Sequence, residues 1–284
     1  MRHITEFSAQ HRWLENHPEH YKHLNFKRLP HRTTISRRYK ALYHTLQDFI
    51  AFVGSFAQDL EEDFRSKELF EDKSLFKAKG PVWHQKDRKR DHIPDKLRNL
   101  DQDATWSKSA YHGWVYGYGL HVTCTENGFP RLVRVDTASV SESQILGEKE
   151  AHIFKQLDPY SVVADDAYTK AMRIRQWAKA GIVLLTPAIK WGKGRYAKNY
   201  HRFLQQTENQ DLIRLRRTAI EPIFDLIAKL IDTTDNHKQI ALKCLENVRT
   251  YLTLAVFTLQ LAMIMNSVWR TPIRAIAHIK AVWE

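Results

Sequence analysis

The segment WVYGYGLHVTC (Trp114–Cys124) alternates its side chains with a period of two. Trp114, Tyr116, Tyr118, Leu120 and Val122 fall on one face, and Val115, Gly117, Gly119, His121 and Thr123 on the other. Aromatic and β-branched residues in that rhythm predict a strand. ENGF (Glu126–Phe129) follows, and its Asn-Gly pair suits a two-residue hairpin turn. RLVRVDTASV (Arg131–Val140) is then the return strand.

Outward from this hairpin the periods change. Upstream, ELFEDKSLFKA (Glu68–Ala78) reads as extended chain. Downstream, Ser141 and Gln144 form a capping-box pattern that opens a helix towards Leu157. SVVAD (Ser161–Asp165) is a short buried strand, TKAMRIRQWAKAG (Thr169–Gly181) a helix closed by glycine, and IVLLTP (Ile182–Pro187) another strand. Two long helices complete the pattern, Asp211–Ile231 and His237–Asn266. Three strands, then strands separated by helices, predict an α/β fold with a mixed five-stranded sheet flanked by helices.

Residues 1–63 read as an N-terminal helical region interrupted at Pro18 and Pro30, and residues 64–284 as the sheet domain. Thr34 is the expected cap of a helix whose apolar positions Ile35, Tyr39, Leu42, Leu46, Ile50 and Val53 follow a 3.6 period. Arg37, Arg38 and Lys40 sit in its first turns, as either a DNA recognition helix or a basic solvated face. His17, His20 and His23 lack a fourth ligand at zinc spacing and read as solvent-exposed.

With 44 Lys and Arg against 32 acids, the chain carries +12 and favours a polyanionic partner, above all nucleic acid. Its two cysteines, Cys124 and Cys244, form no metal or disulfide pattern and suit a reducing cytosol. The opening MRHITEFSAQHRW lacks the apolar core of a signal peptide. The longest apolar run, Tyr251–Asn266, is shorter than the ~20 residues of a membrane span and predicts a buried helix instead. Two loops concentrate charge: Lys86–Asp103, of mixed sign, and the basic Lys190–Lys198, which holds Lys193 and Arg195.

Three acids occupy meaningful places in this layout: Asp72 in the first strand, Asp165 at the end of the fourth, and Glu221 on a late helix. Acids in buried strands are costly unless paired or bound to a cation. They are read either as ligands of hard divalent ions or as partners of basic residues. Glu221 stands directly before Pro222 and four residues after Arg217. Proline inside a helix removes a hydrogen bond and crowds the carbonyl four residues back, here that of Thr218.

DKSLFKAKGPVWHQKDRKR (Asp72–Arg90), WSKSAYHGWVYGYGLHVTC (Trp106–Cys124), VVADDAY (Val162–Tyr168) and RRTAIEPIF (Arg216–Phe224) together resemble the catalytic domain of DDE transposases of bacterial insertion sequences. The likeness spans roughly Glu68–Asn266. It implies a ribonuclease-H-like core and metal-dependent cleavage and transfer of DNA strands. It also implies Asp72, Asp165 and Glu221 as catalytic residues holding two Mg²⁺ ions, for which Mn²⁺ can substitute. Arg217 matches the family's arginine and would face the same site, as a phosphate contact. Pro222 would then end regular hydrogen bonding where Glu221 aims at the metal. Glu71 and Asp166 would be bystanders, since neighbours on a strand point to opposite faces.

Arg37 and Arg38, with Lys193 and Arg195, are the further expected DNA contacts. The implied partners are double-stranded DNA, as terminal inverted repeats and target, and a second copy of the chain; the implied compartment is the cytoplasm, at the nucleoid. A catalytically inactive DNA-binding relic and a plain metal-dependent nuclease are the alternatives. Departures from the family pattern are Lys73, which would put a cation near the metals, Asp166-Ala167, Arg214 and Lys229.

Overall fold

A computed structural model describes residues 4–109, 113–187, 194–231, 238–277 and 279. Its strands are β1 (Glu68–Lys77), β2 (Thr105–Ser109), β3 (Gly113–Cys124), β4 (Pro130–Thr137), β5 (Ser161–Val163) and β6 (Val183–Leu185). β3 is the spine. On one side it pairs antiparallel with β1 over Gly117–Cys124; on the other it pairs with β2 and then with β4. β2 and β4 therefore share one position, and the sheet runs β2/β4–β3–β1–β5–β6, with β5 and β6 parallel to β1. This is the expected ribonuclease-H-like mixed sheet of five positions. β2 is an addition that periodicity does not reveal, because Thr105–Ser109 is short and has no buried face.

Close backbone approach explains Gly117: a Cβ there would lie 1.9 Å from the carbonyl oxygen of Phe76 on β1. The hairpin turn is wider than the Asn-Gly pair predicts. Thr125–Phe129 form it, with the Thr125 N–H donating to the Phe129 carbonyl at 3.0 Å and the Gly128 N–H to that of Thr125 at 2.9 Å. Pro130 begins the return strand without an N–H to give the ladder, so a tight two-residue closure is lost.

The helices are α1 (Phe7–Asn16), α2 (Pro18–His23), α3 (Arg32–Leu60), α4 (Gln85–Arg88), α5 (Glu142–His152), α6 (Ala171–Lys179), α7 (Arg195–Leu204), α8 (Thr207–Leu230) and α9 (Leu245–Val268). α3 starts before the expected Thr34, because His31 Nδ1 accepts the Thr33 N–H at 3.3 Å and caps it. The Ser141 cap is as expected: its Oγ accepts the Gln144 N–H at 3.2 Å. α5 continues as a π-helical turn, Ile153–Leu157. α9 begins at Leu245, later than expected, where the carboxylate of Asp103 accepts the Leu245 N–H at 2.8 Å. The C-terminal end of the charge-dense segment is thus tied to α9 through Asp103, while most of residues 86–99 are exposed, as expected of a solvated loop.

α8 lies on one face of β1 and α5 on the other, as the bonds Arg216–Asp72 and Lys149–Glu71 establish. The second half of α3 joins the same core. Tyr43, Leu46, Ile50, Gly54 and Ala57 are buried, the Val135 N–H donates to Tyr43 Oη at 3.0 Å, and Gln47 Nε2 donates to the Val133 carbonyl at 2.8 Å.

Candidate active site

Alternation along β1 sends Glu71 and Asp72 to opposite faces. Glu71 enters the core beneath α5. There Lys149 Nζ donates to its two oxygens at 2.8 and 2.9 Å, and Thr123 Oγ1 donates at 2.5 Å; Glu71 and Lys149 are both wholly buried. Burial pushes the Glu71 carboxyl up and the Lys149 ammonium down, and their contact opposes both shifts. Lys73 belongs to this face too. Its Nζ donates to the carbonyls of Ala138 and Val140, each at 2.9 Å, with Glu142 at 3.4 Å. The expectation that Lys73 places a cation beside the acidic site is therefore corrected by strand alternation.

Asp72 faces α8. Its Oδ1 accepts the Lys73 N–H at 2.8 Å and its Oδ2 accepts Arg216 Nη1 at 2.5 Å. β1 and β5 run parallel with Phe70 opposite Val163, so Asp72 and Asp165, each two residues further on, come together. Their charges act on one another. Burial raises the Asp72 carboxyl to about 6, outweighing the opposing pull of Arg216. Asp165 is also raised, first by burial, while the Asp166 N–H, bonded to its Oδ1 at 2.6 Å, acts the other way.

Asp166 is not turned away from this site. β5 ends at Val163, and Asp165 caps a 3-10 turn (Asp166–Tyr168), so strand alternation no longer governs the pair. The Asp166 side chain hydrogen-bonds that of Asp165 and raises its pKa.

Glu221 is not gathered with the two aspartates. It lies on the exposed side of α8, where its Oε1 is 3.9 Å from Arg217 Nε, and both side chains are more than half exposed. Among the described residues no three His, Cys, Asp or Glu side chains form a group able to hold a metal ion. The reason is helical geometry. Arg216 falls on the face that buries Ala219, Ile220 and Ile223, and five residues on, Glu221 is rotated by roughly 140° from it. The arginine at the acidic site is thus Arg216, the neighbour of the Arg217 that the family resemblance implies. The buried 3–4 spacing running from it was the available signal.

Nor does Pro222 end α8. The helix runs through it to Leu230, and the Thr218 carbonyl left without its usual donor accepts Arg274 Nη1 at 2.9 Å. The same guanidinium reaches the Asn127 carbonyl through Nε at 3.0 Å, tying α8 to the β3–β4 turn. Gly128 in that turn has φ +77°, and a Cβ there would meet Ile223 at 2.5 Å. Pro222 therefore sits at a packing junction.

Of the expected DNA contacts, Arg37 and Arg38 are exposed near the start of α3, and Arg195 is exposed at the start of α7. Lys193 lies outside the described residues. His17 packs on Trp13, with ring centroids 4.4 Å apart, and its Nδ1 meets the Trp13 carbonyl.

As donors, Asp72 and Asp165 fit a divalent cation: two desolvated carboxylates side by side, each raised by burial, bring hard oxygens and a deficit of positive charge. Glu221, as placed, does not complete such a set. A comparison with curated proteins finds no match. The family model described as "Transposase DDE domain" matches residues 68–266, which cover every strand and the helices α4 to α8. The chain belongs to the DDE transposase family.

Proposed function

We propose that this chain is the transposase of its own mobile element, cleaving DNA at the element's ends with water and joining the freed 3′-hydroxyl to target DNA. The observation that carries this is the desolvated Asp72–Asp165 pair on neighbouring parallel strands, inside the family match and on a chain of charge +12. Asp72 and Asp165 would hold the divalent cation, Mg²⁺ with Mn²⁺ as substitute. Held there, it would supply activation of water and neutralisation of charge on the phosphodiester. Arg216 holds Asp72 in place and balances part of its charge. Glu221, the third acid by family match, would be the third ligand although it stands on the outer face of α8, and Arg217 beside it would be a phosphate contact.

Residues 1–63 act in this reading as the end-binding region, with Arg37 and Arg38 on double-stranded terminal repeats and Lys193 and Arg195 on flanking or target DNA. Two copies hold the two ends, and the work is done in the cytoplasm on nucleoid DNA. The relic reading has one observation in its favour, the outward-facing Glu221.

Labelled DNA ends from the element, incubated with Mg²⁺, decide between them. Wild type is expected to cleave and join, and Asp165→Asn to bind DNA without cutting. A folded, DNA-bound wild type that never cuts establishes the relic, and cutting without joining establishes a nuclease.

A further inference from the structure

The outer face of the α3–α9 layer is apolar and unclaimed by the site. Two bonds fix these helices as parallel neighbours in nearly constant register: Thr250 Oγ1 donates to the Tyr39 carbonyl, and Gln260 Nε2 to that of Ile50. Phe49 and Phe257 meet on the outer side of the seam, with ring centroids 6.0 Å apart. From there Phe49, Phe52, Phe56 and Leu60 continue along α3 at spacings of three and four, all exposed. Leu254, Leu261 and Val268 run beside them on α9, also exposed.

The chemistry of this face excludes the partner that the rest of the chain prefers. In a chain with 44 Lys and Arg, neither occurs between Ala41 and Phe64, and no charged residue occurs between Thr250 and Trp269. Phosphates have nothing here to bind. A lipid surface is also a poor match, because interfacial helices flank their apolar face with Lys and Arg.

Size points to a protein partner. At roughly 150–250 Å² for a whole aromatic side chain, exposures of 50%, 68% and 55% leave Phe49, Phe52 and Phe56 on the order of 100 Å² each. With the leucines and Val268 the patch comes to on the order of 700 Å², above the ~300–600 Å² of a typical monomer's largest patch. A stable interface takes about 800 Å² from each partner.

We propose that the outer face of α3 and α9 is where a second copy of this chain docks, face to face about a two-fold axis. An apolar stripe is complementary to itself, which an isologous contact requires, and the exposed acids Asp48 and Asp59 are the charges that α3 carries along it between Ala41 and Leu60. This deepens the proposed function by naming the surface that joins its two copies, and it leaves the basic surfaces and the Asp72–Asp165 site outside the contact.

The test is sedimentation of the full chain without DNA or divalent ions, so its result is separate from that of the cleavage assay. Wild type is expected to sediment as two chains at micromolar concentration. Phe52→Glu with Phe56→Glu should sediment as one, its dissociation constant raised on the order of 100-fold. Leu261→Glu on α9 should weaken the dimer in the same direction, and it serves as the test if the double variant fails a thermal-melting check of folding. A dimer that survives a folded variant overturns the proposal. So does a wild type that stays single, including one that floats with phosphatidylcholine vesicles, which would make the face a lipid contact.

Discussion

Glu71 and Asp72 are neighbours on one strand, yet they lead different chemical lives. Glu71 is closed in on every side by Lys149, Thr123 and the core beneath α5. Nearby His121 is equally buried and held well below its usual pKa by burial, with Lys149 and Lys73 adding to the effect. Asp72 opens towards α8, with one arginine and a second carboxylate beside it. A buried ion pair whose every partner is internal is structural. Two like charges left short of cations are a site in waiting. The identity of the residue decides neither case; the face of the strand decides both.

The largest expected difference is in stability. Lys149→Met strands the Glu71 charge in the core, and unfolding in urea should show a loss of about 3–5 kcal/mol. Replacing both partners, with Glu71→Leu added, should recover most of it, because the uncompensated charge is gone. Asp72→Asn should cost nothing at neutral pH. If Lys149→Met were as stable as wild type, the contrast between the two faces would break.

A smaller effect sharpens the Asp72 side. Its folded-state carboxyl is raised from 3.8 to about 6, so the fold favours the neutral form. The stability this group contributes is therefore present in full below 3.8 and is lost as pH rises through about 6. With chelator present, wild type should lose up to on the order of 3 kcal/mol relative to Asp72→Asn between pH 4 and pH 7. A pH-independent difference between the two proteins would show that burial does not perturb Asp72.

Much of this was legible in the chain. The β3–β4 hairpin, the order of strands and helices, and the Ser141 cap follow from periodicity and local capping chemistry, which act over a few residues. Asp72 and Asp165 could be placed because a motif and a strand end coincide. Three features depend on contacts far apart in sequence. Arg274 satisfies the carbonyl that Pro222 leaves free, so a proline that reads as a helix end lies within a continuous α8. The rotation of α8 brings Arg216 rather than Arg217 to Asp72; tertiary packing fixes that rotation, and its trace in the chain is the apolar 3–4 spacing that runs from Arg216. Asp165 and Asp166 escape alternation because β5 stops at Val163.

The central claim is that the Asp72 face takes a divalent ion and the Glu71 face does not. Titration with Mn²⁺, followed by its electron paramagnetic resonance signal, measures this without relying on turnover. Wild type, with and without end DNA, should bind Mn²⁺. Asp72→Asn and Asp165→Asn should each weaken binding by at least about tenfold, as expected when one charged ligand is lost. The paired Glu71→Leu/Lys149→Met variant should bind like wild type. Equal binding by wild type and Asp72→Asn, or loss of binding in the paired variant alone, would contradict the account.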